Sequence, residues 1–213
     1  MSRFTKAIQE IKRVIGAELE SMGFVWKNQT LHLELSDRVE GSVRIRHAVY
    51  DGEHVIAVFV VIGVRNDVVE DIVSRWWPPA EDSSGSYRKP SASIPLGYLM
   101  TENAWKEWHL SIDEPVAPIA REIGRRIIEY GIPWMEGLID LRSLLRWLKR
   151  NGDFQEYACY AVPAIHLLLG ERAAARQHVQ EVLSEVTRRG PDYFWSGYSK
   201  YWPQNYRKVM TSI

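Results

Sequence analysis

The sequence lacks most of the marks by which a chemistry is identified. It holds one cysteine, Cys159, in 213 residues, so neither an internal disulfide nor a cysteine metal site can form, and a reducing compartment is expected. No charge of either sign is in excess, since 27 Lys and Arg balance 27 Asp and Glu. A chain that neutralises many phosphates carries a basic surplus, so nucleic acid is not an expected partner. The longest apolar run, Val55 to Val64, is about half of the roughly 20 residues a membrane helix needs. The opening Ser2-Arg3-Phe4-Thr5-Lys6 is amphipathic and no continuous apolar leader follows it, so a soluble cytoplasmic protein is expected, with no membrane attachment.

Catalytic signatures are also missing. No Gly-x-Ser-x-Gly, His-Glu-x-x-His, phosphate-binding loop, dinucleotide fingerprint or Cys-x-x-Cys occurs, which lowers the common hydrolase, metallopeptidase, nucleotide-binding and redox readings and leaves unusual versions open. His32, His54 and His109 have no partners at metal-ligand spacing. No metal or cofactor is therefore expected, and the enzyme question leans to no.

What is present is architecture. Val55 to Val64 is dominated by valine and isoleucine around Phe59 and reads as a central strand, apolar on both faces and so expected to be covered on both. Phe4, Ile8, Ile11, Ile15, Leu19 and Met22 recur every three or four residues and predict an opening helix, capped by Ser2 and stopped by Gly23. Alternation at Leu31, Leu33, Leu35 and at Val43, Ile45, His47, Val49 predicts two further strands, with turns at Lys27-Asn28-Gln29 and Asp51-Gly52. Asn66 or Asp67 caps a short helix that ends near Trp76-Trp77, before Pro78-Pro79. Pro78 to Pro95 reads as a long loop, either a cover or a mobile connection. Leu96 to Met100 and Lys106 to Ile112 read as another strand pair.

After Asp113 the pattern is helical. Asp113 caps a helix that stops at Gly131, and Pro133 starts a second one with a seam of Trp134, Leu138, Leu141, Leu145 and Leu148. Phe154 to Leu169 and Glu171 to Arg189 form a helix pair joined at Gly170, with Pro163 expected to kink or break the former. The fold class is α+β: a mostly antiparallel sheet, an N-terminal helix packed on it and a C-terminal helical portion of about four helices. Residues 1–213 are expected to form a single domain. The subdivision to consider is 1–112 (sheet portion), 113–190 (helical portion) and 191–213 (aromatic tail packing back). The opening helix is expected on one face of the central strand and the helices after Asp113 on the other.

Four features together resemble a bacterial family known as domain of unknown function 4304, over roughly residues 3–150. They are the opening helix closed by Met22-Gly23-Phe24, the hairpin-rich sheet, the Trp105 to Asp113 segment, and Gly131-Ile132-Pro133-Trp134-Met135-Glu136. The long loop and the extension after Gly152 depart from the family's pattern. The family carries no established activity and no residue role transfers. Related small α+β proteins are similar to immunity proteins that neutralise toxins, so the resemblance implies a lean toward a protein partner.

Two groups of residues are candidates for binding. His47 shares a strand face with Val43, Ile45 and Val49, where its default is a hydrogen-bonded core or edge histidine and its sharper role is ligand binding or catalysis. Arg44 and Arg46 project from the opposite face, either as solvated sheet charges or toward an acidic ligand. The second group is the tail from Tyr193 to Tyr206, in which Trp195, Tyr198 and Trp202 either pack on the chain's own domain or meet a partner. Two functions follow: a non-enzymatic protein-binding module of toxin-neutralising type, or an enzyme or small-molecule binder with a cleft near His47, Arg44 and Arg46. Oligomeric state is open.

Overall fold

The computed structural model describes residues 2–50, 52, 54–76, 89–151, 156–189, 209, 211 and 213. The fold is α+β, and it divides into two compact units, Met1–Arg65 with Arg88–Ile139, and Asn66–Tyr87 with Asp140–Ile213.

The first unit begins with helix α1, Arg3–Glu20. Ser2 caps it by accepting the Thr5 amide at 3.1 Å, as the sequence predicts. The periodic residues Ile11, Ile15 and Leu19 are buried together with Val14, each contributing roughly 1.5–3 kcal/mol of gross burial. Gly23 takes φ +87° just past the helix, the left-handed conformation that glycine adopts without steric penalty. Met22 does not continue the buried stripe; it lies beyond the last turn and is exposed.

The sheet is then laid down as β1 (Val25–Lys27), β2 (Thr30–Ser36), β3 (Val39–Tyr50), β4 (Val55–Asn66), β5 (Ala92–Pro95) and β6 (Trp108–Ser111). Strands neighbour in the order β1-β2-β3-β4-β5, and β6 also pairs with β4. The pairs β1/β2, β2/β3, β4/β5 and β4/β6 all have antiparallel registers. Asn28 and Gln29 have φ of 48° and 63°, the two positive values of a type I′ hairpin turn. The four residues 51–54 separate β3 from β4, and the Asp51-Gly52 turn lies partly outside the described residues.

Leu96 to Met100 is not a strand. Leu96–Tyr98 is a 3₁₀ turn that follows β5 directly. Gly97 explains it, because its carbonyl accepts the amides of both Met100 and Ala104, each at 3.3 Å, and the chain doubles back on itself there.

The helical stretch after Asp113 also differs from the expected one. Asp113 is not the cap: helix α3, Ala117–Arg126, starts four residues later without a side-chain cap. Nor does Gly131 stop it, since the helix continues through a π-helical segment, Ile127–Gly131, into α4, Ile132–Glu136. The Ile132 amide reaches back to the Ile127 carbonyl, and this wider turn accommodates Pro133, which has no amide to donate. The wide turn also carries Gly131 against Ile62 of β4, where a Cβ would lie 3.1 Å from the isoleucine.

All three helical pieces lie on one side of the sheet. Trp26, Leu31, Leu33, Gly41 and Val43 share that face by register and alternation. Gly16 of α1 meets Trp26, and Gly41 meets Met135 of α4, while α3 packs against α1. The expectation of opposite layers for α1 and the first helices after Asp113 is thus corrected. Strand β4 follows the same asymmetry: Ile56, Val58, Val60, Ile62 and Val64 are at most 1% exposed, whereas Val55, Phe59, Val61 and Arg65 are half-buried.

The second unit holds α2 (Asp67–Trp76), α5 (Leu141–Asn151), α6 (Glu156–Leu168) and α7 (Arg172–Arg189). Asn66 caps α2 by accepting the Val68 and Val69 amides at 3.1 and 3.2 Å. The single seam predicted from Trp134 to Leu148 is broken, because Asp140 starts α5 afresh by accepting the Arg142 and Ser143 amides at 3.1 and 2.8 Å. The Ser143 hydroxyl, and after it those two amides, hold its carboxyl below the usual range. Helix α6 runs unbroken through Pro163. Gly170 closes it with φ +76°, and the Glu171 amide reaches back to the His166 carbonyl at 2.8 Å. Helix α2 packs on α6, where the Tyr157 hydroxyl donates to Glu70. Beyond the aromatic tail, Val209 and Ile213 are buried and the Ile213 carbonyl accepts from Arg176 at 3.0 Å.

Candidate functional site

The sheet face turned away from α1, α3 and α4 carries the arrangement with the most chemical content. Strand alternation sets Ala57, Phe59, Val61 and Gly63 of β4 on this face, with Ser42, Arg44 and Arg46 of β3 beside them; a Cβ at Gly63 would come 2.7 Å from the Ser42 hydroxyl. Register pairs His109 of β6 with Ala57, placing the imidazole on the same face. The Trp105 ring lies over Phe59 with centroids 5.1 Å apart and planes tilted by 44°. Its indole N–H donates to Glu107 Oε1 at 3.1 Å, and the other Glu107 oxygen meets His109 Nε2 at 3.3 Å. Tyr50 stands 6.5 Å from the His109 ring. One carboxylate therefore orients two rings, and two ring contacts carry the cluster from Tyr50 to Phe59.

This cluster is held in place yet open to solvent. Trp105 is 49% exposed and Tyr50 45%. The tight turn at Gly97 fixes Ala104 and Lys106 on either side of Trp105, so the indole does not depend on a long connection for its position. Farther along the face, His32 Nδ1 meets Glu40 at 2.8 Å and Lys27 approaches the same carboxylate at 3.8 Å.

The candidates read from the sequence divide between the two faces. Arg44 and Arg46 share the open face, whereas His47 follows Val43 and Ile45 on the helix side. His47 is not a core histidine, because the last five residues of β3 are exposed. Partial burial, then Lys12 of α1 and Arg46, holds its imidazole below the usual histidine range. No carboxylate among the described residues bonds to it. Trp195, Tyr198 and Trp202 lie outside the described residues. Sequence reasoning missed Phe59, Trp105, Glu107 and His109. Alternation places Phe59 opposite the buried set, which is the available signal; the partnership with Trp105 spans 46 positions and is set by the Gly97 turn.

Among the described residues, no three His, Cys, Asp or Glu side chains are grouped to hold a metal ion. No helix among them is long and apolar enough to cross a membrane. Compared with known proteins, the chain matches no family model, no curated protein and no solved structure.

Proposed function

We propose that this chain is a non-enzymatic protein-binding module of toxin-neutralising type, acting in a bacterial cytoplasm, and that its open sheet face around Phe59 and Trp105 meets the partner. The observation that carries the reading is Trp105: a large apolar ring, nearly half exposed, stacked on Phe59 and tethered by its N–H to Glu107. Aromatic anchors of this kind dominate protein interfaces, and an anchor already ordered in the free protein loses little entropy on binding. The mixed rim of Arg46, Glu107 and His109 matches the polar border of such contacts. The resemblance to the domain of unknown function 4304 family favours the same reading. The rival, a catalytic or small-molecule cleft using His47, Arg44 and Arg46, is weaker because these side chains leave β3 on opposite faces.

The test is recovery of the tagged full chain from its native cell, alongside Trp105→Ala and a Lys89→Ala control. A protein held by the parent and the control but lost with Trp105→Ala supports the reading. Recovery of the parent alone, without a bound protein, overturns it.

A further inference from the structure

Strand β1 ends the sheet: β2 pairs with it on one side, and no strand among the described residues pairs with it on the other. The two-residue Asn28-Gln29 turn makes Lys27 and Thr30 a hydrogen-bonded pair, and Val25 and His32 form the next one. Trp26 lies between them, so its amide and carbonyl point outward, where neither bonds to another group among the described residues. Edges are commonly blocked by a proline, a bulge or an inward-pointing charge. Strand β1 has a regular register and no proline, and its single charge, Lys27, leans toward Glu40 at 3.8 Å. Its apolar side chains are uncovered, Val25 at 57% exposure and Trp26 at 39%.

The helix beside this edge carries opposite charges at matched positions. Trp26 lies against Gly16 of α1. Lys12 and Glu20 stand one turn before and one turn after Gly16 on the same flank. Neither has a carboxylate or cation partner among the described residues, whereas Arg13 is held by Glu10 at 2.7 Å.

We propose that β1 and this flank of α1 form a self-association surface whose occupant is a second copy of the chain, related by a two-fold axis at Trp26. The two β1 strands pair antiparallel, and each Trp26 amide donates to the Trp26 carbonyl of the other copy. The two α1 helices then run antiparallel, and Lys12 of each copy faces Glu20 of the other. The charges select a second copy over a foreign strand: Lys12 and Glu20 are opposite in sign and equally far from Gly16, so one rotation satisfies both. An unrelated strand would gain only the two Trp26 bonds. The Phe24 amide is already taken by the Leu19 carbonyl at 3.3 Å, and the chain turns away at Asn28. Zero net charge leaves no general repulsion between copies. Strands β2 and β3 separate this edge from Phe59 on β4, so the surface is distinct from the one around Trp105.

The experiment is sedimentation velocity of the full chain over a concentration series, with hydrogen exchange followed at the Trp26 amide. The expected result is a reversible dimer in which that amide exchanges about tenfold more slowly or better than at dilution. Val25→Lys sets a like charge opposite Lys27 of the second copy and should raise the dimer Kd by about tenfold. Lys12→Glu and Glu20→Lys should each raise it by about fivefold, and the variant carrying both should restore the parent value. That restoration separates paired charges from damage to the helix. If Val25→Lys fails to fold by circular dichroism, the charge variants decide. A monomer at every concentration, a dimer whose Trp26 amide is not slowed, or a double variant as weak as the single ones overturns the inference.

Discussion

Gly97 and Ala104 pack backbone against backbone: a Cβ on Gly97 would collide with the Ala104 carbonyl oxygen and lie 2.8 Å from the Lys106 amide nitrogen. Neither is the movable end of a side chain, so Gly97→Ala should destabilise the first unit by about 2–3 kcal/mol, read by urea unfolding. The same substitution should loosen Trp105 from Phe59, seen as smaller ring-current shifts at Phe59. Gly41→Ala provides the contrast, since it meets the flexible Met135 sulfur at 2.6 Å and should cost only about 1 kcal/mol.

Asn66 closes β4 and caps α2 with a buried side chain. Asn66→Ala should cost about 1–2 kcal/mol. Hydrogen exchange locates the effect, because the Val68 and Val69 amides lose their acceptor and should exchange faster than amides in α1.

How far the sequence revealed this fold depended on how local the cause was. The Ser2 and Asn66 caps, the Gly23 and Gly170 stops and the alternation of β2 and β3 act within a few residues, and all were legible. The continuation through Gly131 was not, because it depends on a π turn that makes room for Pro133 and on the Ile62 side chain that Gly131 approaches. The break at Asp140 was written in the sequence as a capping aspartate, but the leucine spacing across it pointed to one helix. At the candidate site, alternation sets Arg44 and Arg46 on one strand face and His47 on the other. It could not show that Trp105 covers Phe59, which the Gly97 turn determines.

Acid should act first on the second unit. Burial, then Lys149, pushes His178 down to about 4 from its usual 6.5, and its Nε2 has no hydrogen-bond partner among the described residues. A histidine kept neutral by the fold contributes its full stability above pH 6.5 and loses it as pH falls toward 4, on the order of 3 kcal/mol in total. Unfolding free energies measured between pH 7.5 and 4 should show this fall. His178→Leu should flatten it in that window.

Glu171 adds a separate, lower window. His166 and Arg142, bonded to its carboxylate at 2.7 and 2.9 Å, hold it below the usual range. Its contribution is present above pH 4.5 and is lost as pH falls through its lowered value. Glu171→Gln should therefore leave the His178 slope intact while reducing the loss below pH 4.5, in the same unfolding series.

The claim that matters most is that an ordered aromatic cluster on the open sheet face is a binding surface. Truncating an aromatic anchor at the centre of such a contact costs about 2 kcal/mol or more, roughly 30-fold in affinity. The direct measurement is calorimetric titration of the copurified partner into the parent chain, Trp105→Ala and Glu107→Gln. The account predicts that Trp105→Ala weakens binding by that factor and Glu107→Gln by a smaller one, as the indole loses the carboxylate that orients it. Equal affinity for all three proteins would contradict it.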